Sequence, residues 1–207
     1  KARFLNKEGN TGLEAYFTLW IDKFLKEGKI GTASPYTTTR NVILEFCRTS
    51  PGYDDKGLKL TDVTYKFLID FEHWLRAERS VKDTTISVYM RTLRAILNKA
   101  IREKLIKRDL YPFDEYRLSE RLKTQTPKRA ITKEAVRTIE ALDLEAGSAL
   151  QFARDIFLFS YYTRGMNFAD IAYLTPENIS DGRVNYIRRK TRKPFSIKLL
   201  APAQEIL

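Results

Sequence analysis

A helical rhythm of apolar residues, repeated four times in the first hundred positions, is the feature that most constrains this chain. Spacings of three and four mark one face of a helix. The first run, preceded by Thr11 and ending near Gly28, consists of Leu13, Tyr16, Phe17, Trp20, Ile21, Phe24 and Leu25. A second helix is predicted to begin with Ser34 as N-cap and Pro35 at its first position. Third and fourth helices are predicted from about Thr64 and Asp83, and four such helices form one bundle.

The charge balance predicts a polyanionic partner. The chain has 37 Lys and Arg against 26 Asp and Glu, a net charge of +11. A membrane-surface protein would concentrate its basic residues on one amphipathic helix, whereas here they are spread along the chain, which favours nucleic acid. No apolar run reaches the eighteen residues of a membrane span, and no membrane partner is expected.

The counts of cysteine and histidine narrow the chemistry. Cys47 is the only cysteine and His73 the only histidine. A lone cysteine fits a reducing compartment, so a cytoplasmic location is predicted. Neither a thiolate metal site nor a histidine-based metal site or triad can be built from single residues.

The outward face of the fourth helix carries a polar stripe of Arg91, Arg94, Asn98 and Arg102. Spacings of three and four place these side chains on one face, which could lie along a groove of DNA. The second helix shows Thr37, Thr38 and Arg40 outward, and we predict that both sets enter the major groove. The alternative for the stripe is an ordinary solvated face.

The apolar rhythm fails after Tyr111, and a basic segment that includes Lys123, Lys128 and Arg129 predicts an exposed linker that contacts phosphates. The predicted organisation is a helical DNA-binding domain over residues 1–116, a linker over 117–130 and a second domain over 131–207.

The second domain is predicted to mix helices with a small hairpin. Thr132 and Ser148 are N-cap candidates, and the run Ala149 to Tyr162 is apolar nearly all round, which predicts a buried central helix. A short helix near 168–174 and a turn at 181–182 follow. Two extended runs, 184–189 and 195–199, then predict a β-hairpin with a basic tip. The fold class is therefore mainly α with a mixed α+β second part.

Three segments resemble the tyrosine recombinase family, most closely the integrases of Bacteroides-type mobile elements. They are FLFSYYTRGMNFADIAYL at 157–174, PENI at 176–179 and YIRRKTRK at 186–193. The resemblance implies a SAM-like core-binding bundle followed by the first part of a catalytic domain, which together clamp duplex DNA. It also implies site-specific recombination through a 3′-phosphotyrosyl intermediate without metal, ATP or other cofactor. A tetrameric assembly on DNA is implied as well.

The resemblance suggests catalytic residues one by one. The family's first arginine stands three residues before an acidic residue, and aligning that acid with Asp170 puts Asn167 in the arginine's place. We therefore predict that Arg164 makes the first cationic contact to the scissile phosphate; the alternative is an arginine that only braces its turn. Lys190 matches the family's lysine best, with Lys193 second, and the alternative for both is a solvated turn.

The family's His-x-x-Arg pair, its later His or Trp and its nucleophilic tyrosine are expected after Leu207, so this chain is expected to bind DNA without cleaving it. A competing hypothesis is a non-catalytic DNA-binding regulator with a recombinase-like clamp. A metal-dependent nuclease would need clustered carboxylates, and the pair Asp54 and Asp55 beside a glycine is interpreted as a loop.

Overall fold

The computed structural model describes residues 11–125 and 130–207 of the chain. The chain divides into two compact units, the first ending at Thr126 and the second beginning at Pro127. Helices dominate both units, and one small antiparallel sheet lies in the second. The predicted fold class, mainly α with a small β-hairpin, is confirmed. No helix among the described residues is long and apolar enough to span a membrane.

The first unit is a helical bundle around an aromatic core. Its helices are α1 (Leu13–Lys26), α2 (Ile30–Thr49), α3 (Tyr65–Ala77), α4 (Asp83–Arg102) and the short α5 (Leu118–Arg121). Phe46 of α2 lies at the centre, with its ring centroid 4.8 to 5.7 Å from the rings of Tyr53, Phe67, Phe71 and Trp74. All four helices predicted from apolar spacing are present, and each buries most of the face that the spacing defined; Leu25 of α1 is the exception, at 49% exposed.

The predicted start of α2 was wrong. The helix begins at Ile30, before Ser34, and Pro35 lies inside it. The chain reverses at Gly28, which adopts a φ of +69° that glycine tolerates without strain. Ala33, in the turn before Pro35, is 2% exposed and packs into the core. Burial of this turn stabilises the longer helix and offsets the one helical hydrogen bond that proline cannot donate.

A buried carboxylate holds the end of the first unit in place. Glu72 of α3 is 4% exposed and accepts hydrogen bonds from the Tyr116 hydroxyl at 2.6 Å and from Arg121 Nε at 2.8 Å. Arg76 donates to the same carboxylate at 3.1 Å. Burial opposes the charged form, but these hydrogen bonds outweigh it and hold the pKa of Glu72 below its ordinary value.

The segment that contains α5 belongs structurally to the first unit. Leu122 is 3% exposed and lies in the first core, and the backbone N–H of Lys123 donates to Asp83 at 2.8 Å. The prediction of an exposed linker over 117–130 therefore differs from the structure at residues 117–123. This segment is anchored by Glu72 and by the first core.

Replacing Glu72 by alanine is expected to lower the free energy of unfolding by about 3 kcal/mol, because several donors lose a charged acceptor. Because folding lowers the pKa of Glu72, its charged form stabilises the folded protein at pH values above its ordinary pKa of 4.5. This stabilisation is lost as the pH falls through the lower pKa of the folded state. In Glu72→Gln the free energy of unfolding, measured by urea denaturation, should therefore fall less than in wild type as the pH is lowered. The control is Glu120→Ala, which removes an exposed ion pair with Arg117 and should cost less than about 1 kcal/mol.

The described residues of the second unit form four α-helices and a small sheet. The helices are α6 (Lys133–Glu140), α7 (Ala149–Tyr162), α8 (Phe168–Ile171) and α9 (Ala201–Glu205). The strands are β1 (Ile179–Ser180), β2 (Arg183–Ile187) and β3 (Pro194–Lys198). Thr132 and Ser148 cap α6 and α7, accepting from the N–H groups of Ala135 and Gln151. The strands pair antiparallel in the order β1-β2-β3, so the hairpin exists and has a third, short strand beside it.

The prediction that α7 is a buried central helix was wrong. Only Leu158 and Phe159 are buried along it. Exposed apolar side chains on the helix are Leu150 at 70%, Phe152 at 64%, Phe157 at 39% and Tyr161 at 44%. The helix packs against α6, α8 and α9 within this unit, and these short elements leave the four side chains exposed.

Candidate functional site

The arginine stripe of α4 is exposed and carries uncompensated charge. Arg91, Arg94 and Arg102 are exposed and Asn98 is half-buried. Arg91 and Arg102 donate from Nε to carbonyls of their own helix, at 3.1 and 3.2 Å. No carboxylate of the described residues lies within ion-pairing distance of the three arginines. Their guanidinium groups therefore remain available to an external anion.

A groove runs along this stripe, with the segment 108–124 as its other wall. Two adjoining concavities form it and share Arg94 and Phe113. We call it the α4 groove and define it by its five arginines, Arg91, Arg94, Arg102, Arg108 and Arg117. The aromatic rings of Tyr111 and Phe113 also line it, so the groove combines cationic donors with apolar floor, a combination suited to nucleic acid.

Two of the groove's arginines were missed by sequence reasoning. Arg108 stacks its guanidinium 4.3 Å from the Tyr111 ring and pairs with Asp114 at 2.8 Å. Arg117 pairs with Glu120 at 3.0 Å, and both side chains are largely exposed. Arg108 begins a short 3-10 turn and Arg117 is the residue before α5, so no periodicity connects them to α4.

The predicted residues of α2 do not line the α4 groove. Thr37 and Thr38 donate their hydroxyls to carbonyls of the preceding helical turn, both at 3.1 Å. Arg40 donates to the Thr18 hydroxyl of α1 at 3.0 Å and to Asn41 at 3.1 Å. Arg40 therefore connects two helices of the bundle, while Thr38 is exposed.

Of the predicted linker cations, Lys123 is exposed, and its backbone is fixed to the start of α4 as described above. Lys128 and Arg129 lie outside the described residues.

In the second unit, Arg164 lies in the loop between α7 and α8. Its φ is +61°, a left-handed conformation that is uncommon for a residue with a side chain and costs about 1 kcal/mol or more. The loop is held by its backbone, where the Gly165 N–H donates to the Ser160 carbonyl at 2.8 Å. The Arg164 side chain is exposed and contacts no acidic partner among the described residues. The Arg164 N–H also donates to the Tyr161 carbonyl at 3.2 Å, so the left-handed residue closes the C-terminus of α7 while its guanidinium stays available to an external anion.

Asn167 caps α8, accepting from the Ala169 N–H at 3.0 Å. The helix begins after Asn167 rather than at Arg164, which places the arginine in the loop that leads into α8. Asn167 therefore has a structural role as the N-cap of α8.

Lys190 lies in the loop that joins β2 to β3, which we call the hairpin loop (residues 188–193). Two backbone hydrogen bonds close it, from Arg188 N–H to the Lys193 carbonyl at 2.8 Å and from Arg192 N–H to the Arg188 carbonyl at 2.7 Å. Lys190 and Lys193 are exposed, and within the described part of the chain their ammonium groups have no acidic partner. Both remain candidates for contact with a phosphate.

The carboxylates proposed for a nuclease are engaged in local contacts. Asp54 accepts from the Lys56 N–H at 3.0 Å, and Asp55 pairs with Arg48 at 3.5 Å. Across residues 11–125 and 130–207, no group of three or more potential ligand side chains is arranged to hold a metal ion.

Residues 13–118, about half of the chain, match the family described as the phage integrase SAM-like domain. The chain belongs to the phage integrase, or tyrosine recombinase, family. A solved structure of the Tn1549 transposon integrase in complex with a circular intermediate DNA is similar in fold. The TM-score is 0.66 at 13% identity.

That similarity covers 92% of this integrase-family chain and 63% of the solved chain, so the chain spans less than two thirds of its structural relative. No curated protein matches its sequence. The first unit is thus the SAM-like domain of an integrase, and the second corresponds in fold to part of an integrase catalytic domain.

Proposed function

We propose that this chain grips duplex DNA for a tyrosine recombinase that integrates mobile DNA. The observation that carries the proposal is the α4 groove, in which Arg91, Arg94 and Arg102 face solvent without acidic partners. Such an array neutralises phosphates and releases their counterions, which provides most of the affinity of DNA-binding proteins. Arginine can also bind guanine edges in the major groove through two donors, so the same stripe can read bases.

Other residues add contacts to DNA in the proposal. Lys123, Lys128 and Arg129 contact phosphates, and Thr37, Thr38 and Arg40 form a secondary contact on α2. The proposed domains are those predicted from the sequence, 1–116 for core binding and 131–207 for the first part of the catalytic domain, with residues 117–123 packed on the first of them. Four copies assemble on DNA, in the cytoplasm.

The proposed chemistry is transfer of a phosphodiester to a tyrosine that follows Leu207 in the complete protein. The tyrosine, deprotonated to its phenolate, attacks phosphorus through its oxygen, the bond to the 5′-oxygen breaks, and that oxygen takes a proton from the Lys190 ammonium. Arg164 offsets the negative charge that gathers on the non-bridging oxygens, more strongly in the transition state than in the ground state. Its guanidinium is exposed and has no acidic partner among the described residues, which supports this role.

The complete protein is expected to form a covalent complex, stable in denaturing detergent, with a nicked suicide substrate that contains its recombination site. The 207-residue chain should bind the same DNA but yield none, because in this proposal it lacks the nucleophile. Gel electrophoresis after denaturation measures the yield. A complete protein that binds the site and forms no covalent complex would indicate the non-catalytic regulator instead.

A further inference from the structure

The carboxylate of Asp170 contacts the base of the hairpin loop with both of its oxygens. Its side chain is 4% exposed and lies in the first turn of α8. Oδ1 accepts the backbone N–H of Arg189 at 3.0 Å, and Oδ2 lies 3.9 Å from Nε of Arg188. A buried acidic side chain thus joins the segment after Arg164 to the residue that precedes Lys190.

The hairpin loop needs such an anchor because of its charge. Five of its six residues are cationic, namely Arg188, Arg189, Lys190, Arg192 and Lys193. Like charges at this density repel one another and favour an open loop. Asp170 is the carboxylate that contacts the loop within the described part of the chain, and Tyr173 adds a second contact, with its ring 3.6 Å from the Arg189 guanidinium.

The consequence of this anchor falls on Lys190. The hydrogen bond to Asp170 fixes the peptide N–H of Arg189, one residue before the lysine. The side chain of Lys190 makes no contact with a described residue that would orient it, so its position depends on the backbone from which it projects. A misplacement of about 1 Å at a reacting group can cost 10²-fold in rate.

We propose that Asp170 is a positioning residue that sets the hairpin loop so that Lys190 reaches the leaving 5′-oxygen. This inference rests on the proposed function. Asp170 contacts neither DNA nor the reacting atoms, and it neither gives nor takes the proton. The ammonium of Lys190 supplies the proton as the phosphorus–oxygen bond breaks, and the lysine is left as a neutral amine.

The test compares two substrates in the complete protein, one with the natural 5′-oxygen and one with a 5′-thio leaving group. A thiolate leaves without being protonated, so loss of acid catalysis is relieved on the thio substrate. Asp170→Ala is expected to slow cleavage of the oxygen substrate by about 10²-fold and to leave cleavage of the thio substrate at roughly the wild-type rate. Equal losses on both substrates would show a merely structural role and overturn the proposal.

Three variants make the comparison specific. Asp170→Asn keeps an oxygen acceptor for the Arg189 N–H but lacks the charge, and should fall between wild type and Asp170→Ala. Glu177→Gln alters an exposed carboxylate of the same unit and should cleave both substrates normally. Lys190→Ala distinguishes a failure of the positioning role of Asp170 from a failure of the acid role of Lys190. If the thio substrate rescues Lys190→Ala but not Asp170→Ala, the positioning role fails while the proposed chemistry stands; if it rescues neither, the acid assignment itself fails.

Limited proteolysis of the 207-residue chain tests the anchor without requiring catalysis. Trypsin cleaves after lysine and arginine, and the hairpin loop should be cut faster in Asp170→Ala than in wild type because its anchor is lost. Mass spectrometry of the early fragments measures the rate for the loop against that for exposed Arg137 in α6. An unchanged loop rate would contradict the proposed anchor.

Discussion

Replacing Arg164 by alanine in the complete protein is expected to lower the rate of covalent complex formation by a factor of about 10² to 10³. The arginine offsets charge that develops on the phosphate during attack, so its loss acts on the transition state more than on binding. DNA affinity should fall only modestly. The measurement is the time course of covalent complex on a suicide substrate, with affinity measured in parallel.

Asn167 provides the comparison within the same loop. As the N-cap of α8 it accepts one backbone N–H, and its replacement by alanine should cost about 1 kcal/mol of stability and much less rate than Arg164→Ala. Arg137→Ala removes an exposed arginine of the same unit and controls for charge. A near-normal rate for Arg164→Ala together with a large loss for Asn167→Ala would reverse the assignment.

The second large effect is expected in the α4 groove. Arg91→Ala combined with Arg94→Ala should weaken binding of the 207-residue chain to duplex DNA by about 10²-fold, because each arginine contact contributes about 1 to 3 kcal/mol. Both side chains are exposed, so the free energy of unfolding should hardly change. Fluorescence anisotropy with labelled duplex measures affinity, and urea denaturation measures stability.

A matched pair of substitutions tests whether position or total charge matters. Arg48→Ala with Lys66→Ala also removes two positive charges from the first unit, on α2 and α3, away from the groove-lining residues. This pair should reduce affinity only a few-fold, through the general field of the protein. Equal losses from the two pairs would show that the groove was misassigned, and unfolding by the groove pair would show that the stripe is structural.

Sequence reasoning succeeded where a single helix face decided the outcome. Each helix of the bundle buries most of the apolar face that its spacing predicted, and the arginines of the α4 stripe are exposed as expected. It failed at the start of α2, where the pair Ser34 and Pro35 gave a strong local start signal. Burial of Ala33, a tertiary effect, extends the helix past that signal.

The remaining differences also come from contacts between distant residues. Arg108 and Arg117 reach the groove from irregular turns that carry no periodic pattern. Glu72 is a charged residue in an amphipathic helix, and only the approach of Tyr116 and Arg121, more than forty positions away, shows why it is buried. The apolar sequence of α7 predicts burial, but the described elements of its unit bury only Leu158 and Phe159 of this helix.

The chain is proposed to bind DNA through cations that contact phosphates, so its affinity for DNA should depend strongly on salt. The affinity of the 207-residue chain for duplex DNA should fall by about 10³-fold between about 50 and 200 mM salt, as expected for six or more phosphate contacts. If Arg91 and Arg94 contact phosphates, the double variant should show a slope of log affinity against log salt that is smaller by about two. An affinity that stays unchanged over this range would show that the chain does not bind DNA through phosphate contacts.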